Sequence, residues 1–207
     1  MAHGYDHVKV IFRLVFLLTH SADMFEKFYT RFIPVAKGRY IWPGIVLIIL
    51  FNTVFFPLPP ARFLENNTLS GRLLDLKFSY NAAETYALID SYGAEGRTLY
   101  WKMALVVDNP YAVVYGISFM LILIFVLSVS FTESRFLKTL AFLPILAAMF
   151  DLLENGSIAY LLISFPVSHV ALVQFASFCT SMKWISLVGA VFLLIYGAAK
   201  YLTYRSA

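Results

Sequence analysis

The chain has 207 residues, 60% of them hydrophobic and 17% aromatic, with only 14% charged and a net charge of +4. A mean hydropathy of +0.76 lies outside the range of soluble domains and marks a polytopic membrane protein. Lysines and arginines are not clustered with stacking aromatics, which argues against a nucleic-acid surface, and a single cysteine, Cys179, excludes an internal disulfide, a CxxC redox pair and a thiolate metal cluster.

At the N-terminus Lys9 and Arg13 accompany a short apolar run, VIFRLVFLL, followed by the small residues Ser21 and Ala22. This resembles a signal peptide. Asp6, Asp23 and Glu26 argue against a cleaved transit peptide, and the segment is expected to be retained. After Ser21, a predicted N-cap, Met24, Phe25, Phe28, Tyr29, Phe32 and Ile33 recur at helical spacing, with Asp23, Glu26, Lys27, Thr30 and Arg31 on the opposite face. Pro34 ends the pattern. The segment reads either as an amphipathic helix lying in the membrane interface or as a helix docked on another protein, within an extension over residues 1–39.

Residues 40–207 are predicted to form a transmembrane domain of four helices, since about 20 apolar residues cross the hydrocarbon core. The first span is predicted from Ile41 to Phe56, with Trp42-Pro43 at the helix start and Pro57, Pro59 and Pro60 at its end. The loop over residues 58–110 is expected to be partly helical: Asn81 and Glu84 fit a capping box, Gly93 a C-terminal stop, and a further helix is predicted from Ala94 towards Val107. Asp108-Asn109-Pro110 then introduces the second span, Tyr111 to Phe131. The third runs from Phe136 to Phe165 with a kink at Pro144, and the fourth from Trp184 to Tyr204, or from as early as Val170. Lys9, Arg13, Lys27, Arg31, Lys37 and Arg39 precede span one, Arg135 and Lys138 separate spans two and three, and Lys200 and Arg205 close the chain. Both termini are therefore expected on the positive side and the loop on the other.

The informative stretch is MFDLLENGSIAY, residues 149–160. Asp151, Glu154, Asn155 and Ile158 share one helix face, extended by the small Ala147 and Ala148, so the polar stripe is expected to face the bundle interior. Counted from Phe136, Asp151 lies roughly 22 Å and Glu154 roughly 27 Å into a core of about 30 Å. Lys183 on span four lies at a matching distance from the turn near Pro166, and Asp108 opens onto the same side. Arg97, His169 and Gln174 are candidate head-group or ligand contacts there. The cluster reads as an interhelical network that fixes packing, as a ligand or proton site, or as a metal site. Asp108, Asp151, Glu154 and His169 have no recognisable metal-ligand spacing, so neither metal nor cofactor is expected.

Two other patterns add little. Asn66-Asn67-Thr68 and Asn155-Gly156-Ser157 match a glycosylation signal, and Gly93-Ala94-Glu95-Gly96-Arg97 lacks the ending of a phosphate loop, so Arg97 is expected to pair with Asp90 or a lipid phosphate. Leu74-Asp75, Tyr80, Gly93, Gly96-Arg97, Tyr100, Asp108, Pro110, Tyr115, Asp151 and Glu154-Asn155 together make residues 70–165 resemble small, functionally uncharacterised four-span membrane proteins of bacteria. That resemblance implies the fold and carries no activity. The N-terminal extension looks like an addition of the kind seen in accessory subunits of organellar membrane complexes.

No nucleophile–base pair is visible, so no catalytic residue is assigned. The expected function is a non-catalytic accessory or scaffolding subunit of a larger membrane complex, with membrane lipids and other membrane subunits as partners. The alternative is a small membrane enzyme or carrier acting on a lipid or other amphiphile at the Asp/Glu cluster. The expected location is a mitochondrial or bacterial inner membrane.

Overall fold

The computed structural model describes residues 23–57, 73–131 and 134–205, and among them every regular element is helical. Helix α1 covers residues 23–32, and α2, Gly38–Leu50, runs on through a wide π turn, Phe51–Phe55. A short 3₁₀ turn, Leu74–Leu76, precedes α3, Ala82–Ser91, and α4, Gly93–Met103. A second π turn, Ala104–Asp108, joins α4 to α5, Asn109–Ser130. Helices α6, Arg135–Leu140, α7, Leu143–Ser164, and α8, Val170–Arg205, complete the chain. Four of the described stretches are long and apolar enough to cross a membrane: Gly38–Phe55, Gly93–Ser130, Arg135–Ser164 and Val170–Thr203. The protein is an all-helical integral membrane protein.

Helix boundaries follow local chemistry, and several differ from expectation. Helix α2 begins at Gly38, which places Pro43 inside it and not at its start. The capping box of α3 is present, with the Glu84 N–H donating to Asn81 Oδ1 at 2.9 Å and the Asn81 N–H donating to Glu84 Oε2 at 3.3 Å. Gly93 stops that helix at a φ of +63°, a conformation side chains with a Cβ resist. The expected break at Asp108-Asn109-Pro110 is absent. Proline lacks an N–H and crowds the carbonyl four residues back, and the helix accommodates Pro110 by widening over Ala104–Asp108 without ending. At the third span the reverse holds: the chain turns at Ala141–Phe142, and Pro144 occupies the first turn of a new helix instead of kinking an existing one. Helix α8 starts at Val170, so the fourth span is one continuous helix from the earlier of its two expected starts.

Helices α7 and α8 form an antiparallel pair against which α5 packs, and α2 lies on α5. Small residues set the close approaches. A Cβ added at Gly116 would lie 2.7 Å from Ala148 Cβ and 3.2 Å from the Pro144 carbonyl, and one at Gly44 would lie 2.9 Å from Ser118 Cβ. Apolar packing comes in three layers. Leu123, Ile124, Leu127 and Ala141 fill the end nearest α1, Ala112, Ala147 and Ala148 the middle, and Leu74, Ile89, Tyr100, Ile158, Leu161 and Val173 the end covered by α3 and α4.

Helix α1 divides its apolar residues. Tyr29 is buried and its hydroxyl donates to the Ile124 carbonyl at 3.2 Å, while Phe25 meets Phe142 with ring centroids 5.5 Å apart. Met24 and Phe28 stay exposed. Glu26 anchors the helix through Lys138 at 3.0 Å and Arg135 at 3.2 Å. Of the expected extension, residues 1–22 lie outside the described residues. The Lys138 hydrogen bond, helped by its charge and that of Arg135, holds the Glu26 carboxyl below its ordinary value of 4.5. A depressed carboxyl contributes its stabilisation fully above that ordinary value and loses it as pH falls through the lowered one. Protection of residues 23–32 against hydrogen exchange, taken relative to the intrinsic rate at each pH, should therefore fall below pH 4.5 in the native protein. Glu26→Gln should exchange faster at neutral pH and lose that acid-dependent step; an unchanged profile would refute the anchor.

Candidate functional site

The polar stripe of α7 points into the bundle: Glu154 and Asn155 are fully or almost fully buried and Asp151 nearly so. Asp151 on α7 and Lys183 on α8 each lie about 20 Å from the turn between the two helices, at the same height. With α7 starting at Leu143, Asp151 is only about 12 Å from the helix start, less than the depth expected from a span beginning at Phe136. Lys183 Nζ lies 2.6 Å from Glu154 Oε2 and donates to Asp151 Oδ1 at 3.2 Å and to the Asp75 carbonyl at 3.3 Å. The ammonium is thus held by two hydrogen bonds, to Asp151 and the Asp75 carbonyl, and by a close ion pair with Glu154.

The carboxylates are tied in further. Tyr115 donates to Asp151 Oδ2 at 2.9 Å, and Thr180 donates to Glu154 Oε1 at 2.6 Å while sharing a 3.2 Å hydrogen bond with the Tyr80 hydroxyl. Burial holds the Tyr80 hydroxyl well above its usual range, which keeps it a neutral hydrogen-bonding group. Asn155 reaches Asp151 Oδ1 on its own helix at 3.4 Å, not a neighbouring helix, because the two residues are one turn apart on one face. Asp75, in the 3₁₀ turn, accepts a short 2.5 Å hydrogen bond from the Tyr100 hydroxyl.

Beside this network lies a cavity of about 480 Å³. Asp75, Asp108, Asp151 and Lys183 reach its wall, together with aromatic and aliphatic groups that include Phe56, Tyr111, Tyr115, Phe119, Trp184 and Leu187. Both π turns contribute: Asn52 from Phe51–Phe55, whose amide donates to the Tyr111 hydroxyl at 3.1 Å, and Asp108 from Ala104–Asp108. Asp108 takes no hydrogen bond or ion pair from the described residues. Isolated wide turns inside α-helices recur where a side chain must be aimed at a site.

The remaining candidates lie elsewhere. Arg97 donates to the Ile89 carbonyl at 3.4 Å and stands 4.4 Å over the Phe165 ring, in place of the expected partner Asp90. His169 donates its backbone N–H to the Tyr86 hydroxyl at 2.6 Å and packs its ring on Tyr160, and Gln174 is exposed. None of the three lines the cavity. Asp75, Tyr100, Tyr115, Thr180 and Trp184 are site residues that the sequence reading did not select. Thr180, Lys183 and Trp184 repeat on α8 the one-face spacing of Asp151, Glu154 and Asn155 on α7, a signal that was available. Among the described residues no group of three or more His, Cys, Asp or Glu is placed to hold a metal ion. Comparison of the chain with family models, with curated proteins and with solved structures returns no match.

Proposed function

We propose that the protein binds an amphiphile within the membrane, as a carrier or as an enzyme acting on it, with the polar head held at the Asp75–Asp108–Asp151 wall. The observation that carries this reading is the cavity itself, whose volume of about 480 Å³ falls among small-molecule sites, typically about 300–1,000 Å³. A network serving packing alone would be closed over by side chains, as Glu154 is. Here one wall is carboxylate and hydroxyl while the rest is aromatic and aliphatic, the pairing an amphiphile needs. The absence of a nucleophile–base pair in the sequence favours binding or transport over covalent chemistry.

On the same footing we place both termini on the Lys/Arg-rich face, α1 with Met24 and Phe28 in the lipid interface, and the protein in a bacterial or mitochondrial inner membrane. The accessory-subunit reading is the competitor. Native mass spectrometry of protein released from mild detergent separates the two. The expected result is one retained amphiphile per chain, lost in Leu187→Trp, which fills the cavity from its aliphatic wall. Stable isolation within a larger complex, with no amphiphile at the cavity, would favour the accessory reading instead.

A further inference from the structure

The cavity wall also restricts the charge of its ligand, an inference that rests on the amphiphile reading. Three carboxyl groups reach the wall, those of Asp75, Asp108 and Asp151, with Glu154 enclosed behind it, and among the described residues Lys183 is the one cation at the wall. Lys183 donates to Asp151 and the Asp75 carbonyl and is ion-paired with Glu154, so its charge is already engaged by two carboxylates before an anion could arrive. The wall's other donors without an assigned acceptor, the Trp184 indole N–H and the Tyr111 hydroxyl, are neutral and cannot offset a phosphate or carboxylate head. Acceptors, by contrast, remain open: among the described residues Asp108 takes no hydrogen bond or ion pair, and one Asp75 carboxyl oxygen is hydrogen-bonded and the other is not. Excess negative charge in a poorly solvated place is neutralised by protons or by a counter-ion, and an ion pair completed there is favoured over a lone charge. Tyr111, Tyr115, Phe119 and Trp184 add aromatic faces, which attract organic cations.

The geometry points to an organic ammonium as the head group: the cavity takes a single-chain amphiphile bearing an amine or a quaternary ammonium and no phosphate. The ammonium sits between Asp108 and Asp75 against the aromatic wall, and the chain runs along Phe119 and Leu187 into the bundle. A zwitterionic phospholipid fits poorly, because its phosphate would face carboxylates and, among the described residues, meet no cation other than the already paired Lys183.

The test uses the full chain in phosphatidylcholine nanodiscs and four probes of one chain length: dodecylamine, dodecyltrimethylammonium, dodecanol and dodecanoate. Calorimetric titration, with empty nanodiscs as the baseline, should show saturable binding of the two cations at one per chain, at least tenfold tighter than dodecanol, and none of dodecanoate. Asp108→Asn and Asp75→Asn, which keep the side-chain shape, should each weaken the cations at least tenfold and leave dodecanol unchanged. Equal binding of cationic and neutral probes, or preference for dodecanoate, would overturn the charge assignment while the amphiphile reading stands. Saturable binding of no probe, in a preparation whose helical content and thermal unfolding are intact, would overturn both.

Discussion

Lys183→Met is expected to destabilise the bundle by about 3–5 kcal/mol, the cost of removing one partner from a buried ion pair and leaving the other charge uncompensated. Methionine matches the aliphatic stem of lysine, so packing changes little and the effect is electrostatic. Glu154 is wholly enclosed, and among the described residues the ammonium 2.6 Å away is the one cation in contact with it. Asp151 also loses its charged partner, keeping the Tyr115 hydroxyl and the Asn155 amide. Asp151→Asn should be mild by comparison, because the amide still accepts from Tyr115 and Lys183 stays paired with Glu154. Adding Glu154→Gln to Lys183→Met should recover much of the loss. Thermal and denaturant unfolding in mild detergent, followed by circular dichroism, would measure all four proteins. Wild-type stability in Lys183→Met would show that the ion pair is not what holds this level of the bundle.

The second large effect belongs to Gly116, where α5 and α7 are in backbone contact. Gly116→Val should cost about 1–3 kcal/mol, the usual range for overpacking a tight contact, because neither the Pro144 carbonyl nor Ala148 Cβ can move aside without moving α7. The damage should reach the site, since Tyr115, the neighbour of Gly116, holds Asp151. Gly116→Ala combined with Ala148→Gly transfers one methyl across the same contact. The double variant should be more stable than Gly116→Ala alone. If it is not, the two helices are not held apart at this point by these two positions.

What was legible in the sequence follows from how local its causes are. The capping box at Asn81 and Glu84, the stop at Gly93 and the inward stripe on α7 depend on residues within one or two turns of each other. The pairing of Lys183 with the stripe was readable by counting residues back from the turn, because both helices are continuous there. The two prolines were harder. Pro110 and Pro144 carry the same local signal, yet one sits within a continuous helix and the other opens a new one. What separates them is tertiary: the helix preceding Pro110 is anchored by Tyr100 and Met103 in the apolar layer under α3, whereas α6 has no buried residue. Asp75 was missed for a related reason. It is a lone acid between leucines in a loop, and only the folding of that loop onto α4 and α8 brings it to Tyr100 and Lys183.

The wide turn at Ala104–Asp108 has a consequence for the angular phase of the molecule. A π turn holds about one residue more than the α turn it replaces, and one residue on a helix is about 100° of rotation. Upstream of it stands Tyr100, which grips Asp75; downstream stand Asp108 and Tyr115. Deleting one residue there would restore a regular helix and swing Tyr100 about a quarter turn away from Asp75. The surplus residue thus works like the offset between two gears on one shaft, keeping the loop turn at Asp75, which offers its carbonyl, and the α7 carboxylates in mesh around a single lysine.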